Sequence, residues 1–162
     1  MMLQMVPTRW YSSNVSVMDE SRPVADIDVS WWREKGVLTI QGSRYGVYRE
    51  GLMSGAFVIE HAGTVLARAE KPSIFRRTFL VHHEGRDYTL RAMSAFGRRF
   101  LLWDGSRQIG SLAPTSVFRR GAAVDLPDEW PLPVQMFIIW LTVILRMRDE
   151  AAVVAGGGLG GV

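Results

Sequence analysis

The chain contains no cysteine. That excludes a disulfide framework, a thiol nucleophile and thiolate metal sites, and it suits a cytoplasmic protein. Lysine is almost missing as well: 17 of the 19 basic residues are arginine. Arginine suits bidentate phosphate recognition, although coding bias in a GC-rich genome gives the same ratio. The opening residues MMLQMVPTRW lack the charged region and apolar run of a secretory signal. No helical period is visible before Trp130, and only one long apolar run exists, near the C-terminus.

That run, Pro131 to Met147, reads PLPVQMFIIWLTVILRM. As a helix it has no polar face, because Gln135, Thr142 and Arg146 are its only interruptions. A helix that is apolar all round must be buried all round. Leu132 to Leu145 rises about 21 Å at 1.5 Å per residue, short of a bilayer core of about 30 Å. The expectation is therefore a core helix over about 131–148. Pro131 or Pro133 sits in its first turn, and Arg146 and Arg148 at its end, where the dipole favours cations.

Residues 9–126 alternate with period 2. Ala25, Ile27 and Val29 oppose Asp26, Asp28 and Ser30. Leu38 and Ile40 share a face, as do Phe57 and Ile59. Val65, Ala67 and Ala69 share another, and so do Tyr88, Leu90 and Ala92. Turn signals separate the runs at Lys35-Gly36, Gln41-Gly42, Glu50-Gly51, Ala62-Gly63, Glu84-Gly85 and Asp104-Gly105. At about 10 residues per strand and turn, this segment gives roughly 11 or 12 strands. A sandwich would cover one side of the apolar helix only. A closed barrel of that size has a lumen wide enough for a helix of about 10 Å, and it leaves no exposed edges. The predicted fold is mainly β: a closed antiparallel β-barrel of about 12 strands enclosing one C-terminal helix. Residues 1–8 and 151–162 are expected to be flexible ends of a single domain. Small inward residues are expected where strands meet Phe137 and Trp140, with Ala67, Ala69, Ala92 and Gly110 as candidates.

A repeat of 20–22 residues runs through the middle of the chain. AGTVLARAEKPSIFRRTF, EGRDYTLRAMSAFGRRFLL and DGSRQIGSLAPTSVFRRGAAV each carry a Gly turn, a strand, a Ser-x-Phe turn and an Arg pair. The Phe residues are Phe75, Phe96 and Phe118. The pairs are Arg76-Arg77, Arg98-Arg99 and Arg119-Arg120. Two strands and two turns per repeat place all six Arg near one barrel rim, which makes them the candidate anion-binding residues. At about 1 kcal/mol per cation near an anionic surface, six contribute at most about 6 kcal/mol. Adjacent strand residues point to opposite faces, so the competing reading has one Arg of each pair covering its neighbours or meeting acids such as Glu70 and Asp87.

Gly63, Ala67, Ala69, Lys71, Ser73 and Phe75-Arg76-Arg77, then Tyr88 and Leu90, Ile109-Gly110 and Leu112, Asp125-Leu126-Pro127 and the apolar terminal helix follow one another in an order that resembles the tubby-like superfamily. That superfamily includes the tubby C-terminal domain, the LURP-one-related proteins and the phospholipid scramblases. The resemblance spans about residues 10–150 and implies a twelve-stranded barrel around a hydrophobic C-terminal helix. It also implies phosphoinositide binding, as in tubby proteins, or membrane-lipid association, as in scramblases. Neither the tubby lipid-binding motif nor a scramblase calcium-binding or palmitoylated-cysteine motif is matched residue by residue, so the resemblance carries the fold and leaves function to the site.

His82 and His83 diverge on a strand, with only His61 elsewhere, so no metal site is expected. Asp26 and Asp28 read as a solvated strand face, and no serine lies in a nucleophile-elbow context. Trp31 and Trp32, beside Arg33 and Lys35, suggest one exposed indole. The terminal AGGGLGGV has no strand before it, so it is no dinucleotide loop. No catalytic residue or cofactor is assigned, and nucleic-acid binding is unsupported by any module. The expected function is a non-enzymatic cytoplasmic module binding anionic lipid headgroups or phosphate-bearing ligands, peripheral to the membrane. A structural or protein-interaction scaffold is the first alternative, and a scramblase-like membrane protein the second.

Overall fold

The computed structural model describes residues 2–9, 14–30, 33–51, 55–72, 76–94, 97–115 and 121–157. Twelve strands form a closed antiparallel barrel around one helix. The first six are β1 (Met2–Pro7), β2 (Val15–Asp19), β3 (Arg22–Ser30), β4 (Lys35–Ile40), β5 (Ser43–Arg49) and β6 (Phe57–His61). The second six are β7 (Thr64–Glu70), β8 (Thr78–His83), β9 (Arg86–Ala92), β10 (Phe100–Asp104), β11 (Arg107–Pro114) and β12 (Ala122–Asp125). The helix α1 (Leu132–Gly157) follows. Each strand pairs with its sequence neighbours, and β1 closes the ring against both β2 and β12, with Leu3 opposite Asp19 and Val124.

Residues 1–8 were expected to be flexible; Met2–Pro7 is instead the closing strand. The reason is legible in MLQMVP, where Leu3 and Met5 alternate with Met2, Gln4 and Val6. Leu3 is fully buried, and without this strand β12 and β2 would each present an unpaired edge.

The two barrel ends differ. At one end the strands turn tightly, and the turn chemistry is local. Gln41-Gly42, Ala62-Gly63 and Glu84-Gly85 all have positive φ at both positions, the twist that a two-residue hairpin needs. Register shifts between β2 and β3, β6 and β7, and β10 and β11 each leave one extra residue on the second strand, at Val24, Leu66 and Ile109 beside the tight turns, and curve the wall. One consequence is that Val65, expected inward, lies 46% exposed beyond the shift at Ile59/Glu60. At the other end the connections are longer, spanning 31–34, 50–56, 71–77, 93–99 and 115–121. Lys35-Gly36 was expected as a turn, but both belong to β4.

α1 enters at the tight-turn end and threads the lumen. Pro133 sits in its first turn, as expected. The buried Gln135 donates Nε2 hydrogen bonds to the Trp130 carbonyl at 2.9 Å and the Pro127 carbonyl at 3.3 Å, tying the helix start to the connection before it. Trp130 closes that mouth against His83 and Tyr88, with centroids 5.3 and 4.8 Å away. Every residue from Val134 to Leu145 is buried. Phe57 meets Trp140 edge-on at 5.7 Å, and Phe79 meets Phe57 at 5.4 Å. Thr142 satisfies its hydroxyl on the Ile139 carbonyl at 2.7 Å. The helix runs on to Gly157, beyond the expected end at 148, so Arg146 and Arg148 lie outside its last turn.

Ala67 and Ala69 face the lumen as expected. The residue that makes room for Trp140 is Gly36: a Cβ there would lie 2.3 Å from the Asp28 carbonyl and 3.3 Å from Trp140 Nε1. Gly110 is small for another reason: a Cβ there would lie 2.8 Å from the Asp125 carbonyl oxygen and 3.1 Å from the Leu126 side chain. Gly36→Ala is expected to destabilise the protein by about 1–3 kcal/mol through overpacking. Gly46→Ala, on β5 with open space around its Cβ, is expected to be neutral or stabilising by up to about 1 kcal/mol. Chemical denaturation midpoints of the two variants check the pair.

Candidate functional site

The loops at the long-connection end form a rim around the emerging α1. Two arginines fix the helix in it. Arg77, at the end of the 71–77 connection, has a side chain only 13% exposed. Its Nη1 donates to the carbonyls of Ser94 at 3.1 Å and Gly97 at 2.6 Å, and its Nη2 meets Asp149 at 2.8 Å. Its guanidinium lies over the Phe100 ring, 5.2 Å from the centroid. One side chain thus joins the 93–99 loop, β10 and the helix. Arg148, on α1 itself, makes a second link from the helix to the wall. It pairs with Glu34, its Nε 2.7 Å from Oε1, and lies over Phe57 at 5.5 Å. Glu34 also accepts from Arg49 at 3.1 Å.

Between Arg77, Arg148 and the neighbouring strands lies an open cleft of about 630 Å³. Its polar lining is Lys71, Arg76, Arg77, Arg91, Arg148, Asp149, Thr78 and Ser94, and Leu145 and Met93 supply apolar surface. Five cations face one carboxylate. Arg91 is held on the outer wall by stacking over Trp103 at 5.3 Å. Burial lowers the pKa of Lys71 from the ordinary 10.5, and Arg148 lowers it further; Asp149 pulls it back up by more than Arg77 lowers it. Repulsion among cations in a cleft is relieved by a bound anion.

Of the six arginines expected at the rim, Arg76 and Arg77 line this cleft. Arg98 is half-buried and lines a separate, narrow crevice with Arg146, and Arg99 is exposed. Arg119 and Arg120 lie outside the described residues, as do Phe75, Phe96 and Phe118. Each described pair splits into a more buried and a more exposed member, although both pairs lie in the connections and not, as expected, at the opening of a strand. Arg77 pairs with Asp149, whereas Glu70 and Asp87 flank His82, at 3.7 and 2.5 Å. Lys71, Arg91 and Arg148 were not foreseen. Lys71 lies inside the quoted repeat, and Arg148 was seen only as a helix-end charge. What brings them together is the exit point of the helix.

The remaining candidates resolve simply. His82 points outward and His83 inward against Trp130. Asp26 accepts a hydrogen bond from Ser16 at 2.6 Å on the outer wall. Trp31, Trp32 and residues 158–162 lie outside the described residues. Comparison with family models, with curated proteins and with solved structures returns no match.

Removing Arg77 is expected to free two carbonyls and strand Asp149. Arg77→Ala should lower stability by about 2–4 kcal/mol, given about 1.5–3 kcal/mol for charged hydrogen bonds plus lost packing on Phe100. Arg76→Ala, at an exposed position, should change stability by no more than about 0.5 kcal/mol. Thermal denaturation of both variants checks the difference.

Proposed function

We propose that this protein is a non-enzymatic binding module whose cationic cleft takes phosphate-bearing anions, among them the headgroups of acidic lipids. The observation that carries the reading is the cleft of Lys71, Arg76, Arg77, Arg91 and Arg148 around one carboxylate. Its roles divide. Arg77 and Arg148 are held by the fold and supply fixed positive potential. Arg76, Arg91 and Lys71 supply the contacts that a ligand recruits. Arginine forks give bidentate geometry to phosphate oxygens, and Lys71 adds a point charge. Membership of the tubby-like superfamily is part of the same proposal. It is supported by a twelve-stranded barrel around an apolar C-terminal helix, the architecture that the sequence resemblance implied. A cytoplasmic module peripheral to the membrane follows from this reading. The scramblase-like alternative needs a membrane-crossing segment, and among the described residues no helix is long and apolar enough to cross a membrane.

Vesicle co-sedimentation at low salt tests the proposal. Binding to vesicles containing acidic lipid should exceed binding to neutral vesicles and fall as salt rises. The double variant Arg76→Glu/Arg91→Glu should lose at least about tenfold in affinity for acidic vesicles and for soluble tripolyphosphate, given about 1 kcal/mol per charge. Equal binding to neutral and acidic vesicles, with no tripolyphosphate binding, would leave a scaffold role in place of this one.

A pH dependence follows from Lys71. An anion in the cleft favours its charged form, so the bound-state pKa lies above the lowered free-state pKa. The contribution of Lys71 to affinity is therefore complete below the free-state pKa and is lost as pH rises through the bound-state pKa. Tripolyphosphate affinity, measured calorimetrically, should fall as pH is raised toward the ordinary lysine value of 10.5. Lys71→Gln should flatten that fall.

A further inference from the structure

The last turns of α1 have no structural work inside the barrel. Arg148 and Asp149 are clasped to the rim, and Glu150–156 are all exposed. Val153 and Val154 are 72% and 78% exposed, and Met93, on the neighbouring 93–99 loop, is 59% exposed. They are the three most exposed large hydrophobic residues among the described ones. From Ala151 to Val162 no side chain is polar. A two-turn helical end is marginal in water by itself, and clustered exposed apolar side chains mark a surface that something covers. This apolar end rises beside the cleft whose cations include Arg76, Arg91 and Lys71.

We propose that this rim docks end-on against an anionic bilayer, with the projecting end of α1 and Met93 entering the interface while the cleft cations hold lipid phosphates. The inference rests on the phosphate-binding reading of the cleft and adds the bilayer as the ligand's source. Charge complementarity selects the occupant: an apolar peg set beside cations matches a surface that is anionic outside and apolar beneath. The dimensions agree. Residues 150–157 project about 12 Å at 1.5 Å per residue, and the headgroup layer on each side of a bilayer is about 5–8 Å thick. Deeper insertion is opposed, because the last four carbonyls of a helix have no partner within it and need water or headgroup donors. Each cation near an acidic surface is worth about fivefold in affinity. Charge alone therefore gives reversible contact, and the apolar end supplies the second signal that stable attachment requires.

The absence of cysteine allows a direct test. Val154→Cys accepts a single environment-sensitive dye outside the barrel. Its emission is expected to shift to the blue with phosphatidylcholine vesicles containing about 30% phosphatidylserine, a strongly anionic surface. No shift is expected with neutral phosphatidylcholine vesicles or with soluble tripolyphosphate. In parallel, Val153→Ser/Val154→Ser should lose about tenfold or more in affinity for the acidic vesicles, with tripolyphosphate affinity and thermal stability unchanged. Acidic-vesicle binding by the serine variant equal to that of the parent, or a dye that stays in an aqueous environment on sedimented vesicles, overturns the docking inference and leaves the cleft reading intact. Unchanged tripolyphosphate binding in Arg76→Glu/Arg91→Glu overturns the cleft reading itself. A blue shift that requires an added acidic protein in place of vesicles overturns the bilayer as partner.

Discussion

Burial of an apolar helix on every side is the constraint from which the rest of the structure follows. Val134 to Leu145 offer no direction that water tolerates, so the helix needs a wall all the way round. Twelve strands supply it, and closure satisfies the backbone of every strand on both edges. The fit is made residue by residue. Trp140 is accommodated by the missing side chain of Gly36 and by edge-on contacts with Phe57. Ala67 and Ala69 thin the wall elsewhere. Some of the polar atoms inside are answered locally, Gln135 Nε2 on the carbonyls of the connection before it and the Thr142 hydroxyl on its own helix, whereas Gln135 Oε1 and Trp140 Nε1 stay without a hydrogen bond.

The same plug decides where charge collects. α1 is longer than its apolar segment, so its polar continuation emerges among the longer connections. There Asp149 meets Arg77, and Arg148 meets Glu34. These links fix the helix end, and they also place two well-held guanidinium groups beside the more exposed Arg76, Arg91 and Lys71. A structural latch and a cationic cleft share residues. The shared residues explain why one arginine of the first pair is largely buried and the other exposed. An apolar helix end, with Val153 and Val154 exposed, stands beside that cleft.

Much of the fold was legible in the amino acids. The tight turns at Gln41-Gly42, Ala62-Gly63 and Glu84-Gly85 are local chemistry, since positive φ at both positions suits these residues and the twist of a hairpin. Strand faces followed from alternation, with Ile27, Leu38, Phe57, Leu90 and their neighbours inside. Local reasoning failed where a long-range contact decides. Met2–Pro7 resembles a loose end until β12 and β2 lie on either side of it. Gly36 resembles a turn residue until Trp140 and the Asp28 carbonyl stand against it. Val65 leaves its expected face because a bulge in β7, at Leu66, separates it from Ala67.

Of the candidate site, the repeat placed the arginines of the 71–77 and 93–99 connections at one end of the barrel, because strands and turns of constant length bring equivalent positions to equivalent heights. It did not tell which arginine of a pair serves the fold, nor that Lys71, Arg91 and Arg148 join Arg76 and Arg77 while Arg98 lines a different crevice. The period of hydrophobicity by itself determined a β-rich chain with one helix that had to be enclosed, since periodicity reports which side of an element avoids water. Only the tertiary structure decided which charges share a cleft. Ion pairing and cleft geometry join residues as distant in sequence as Glu34 and Arg148, and no local pattern encodes the point at which a buried helix comes out.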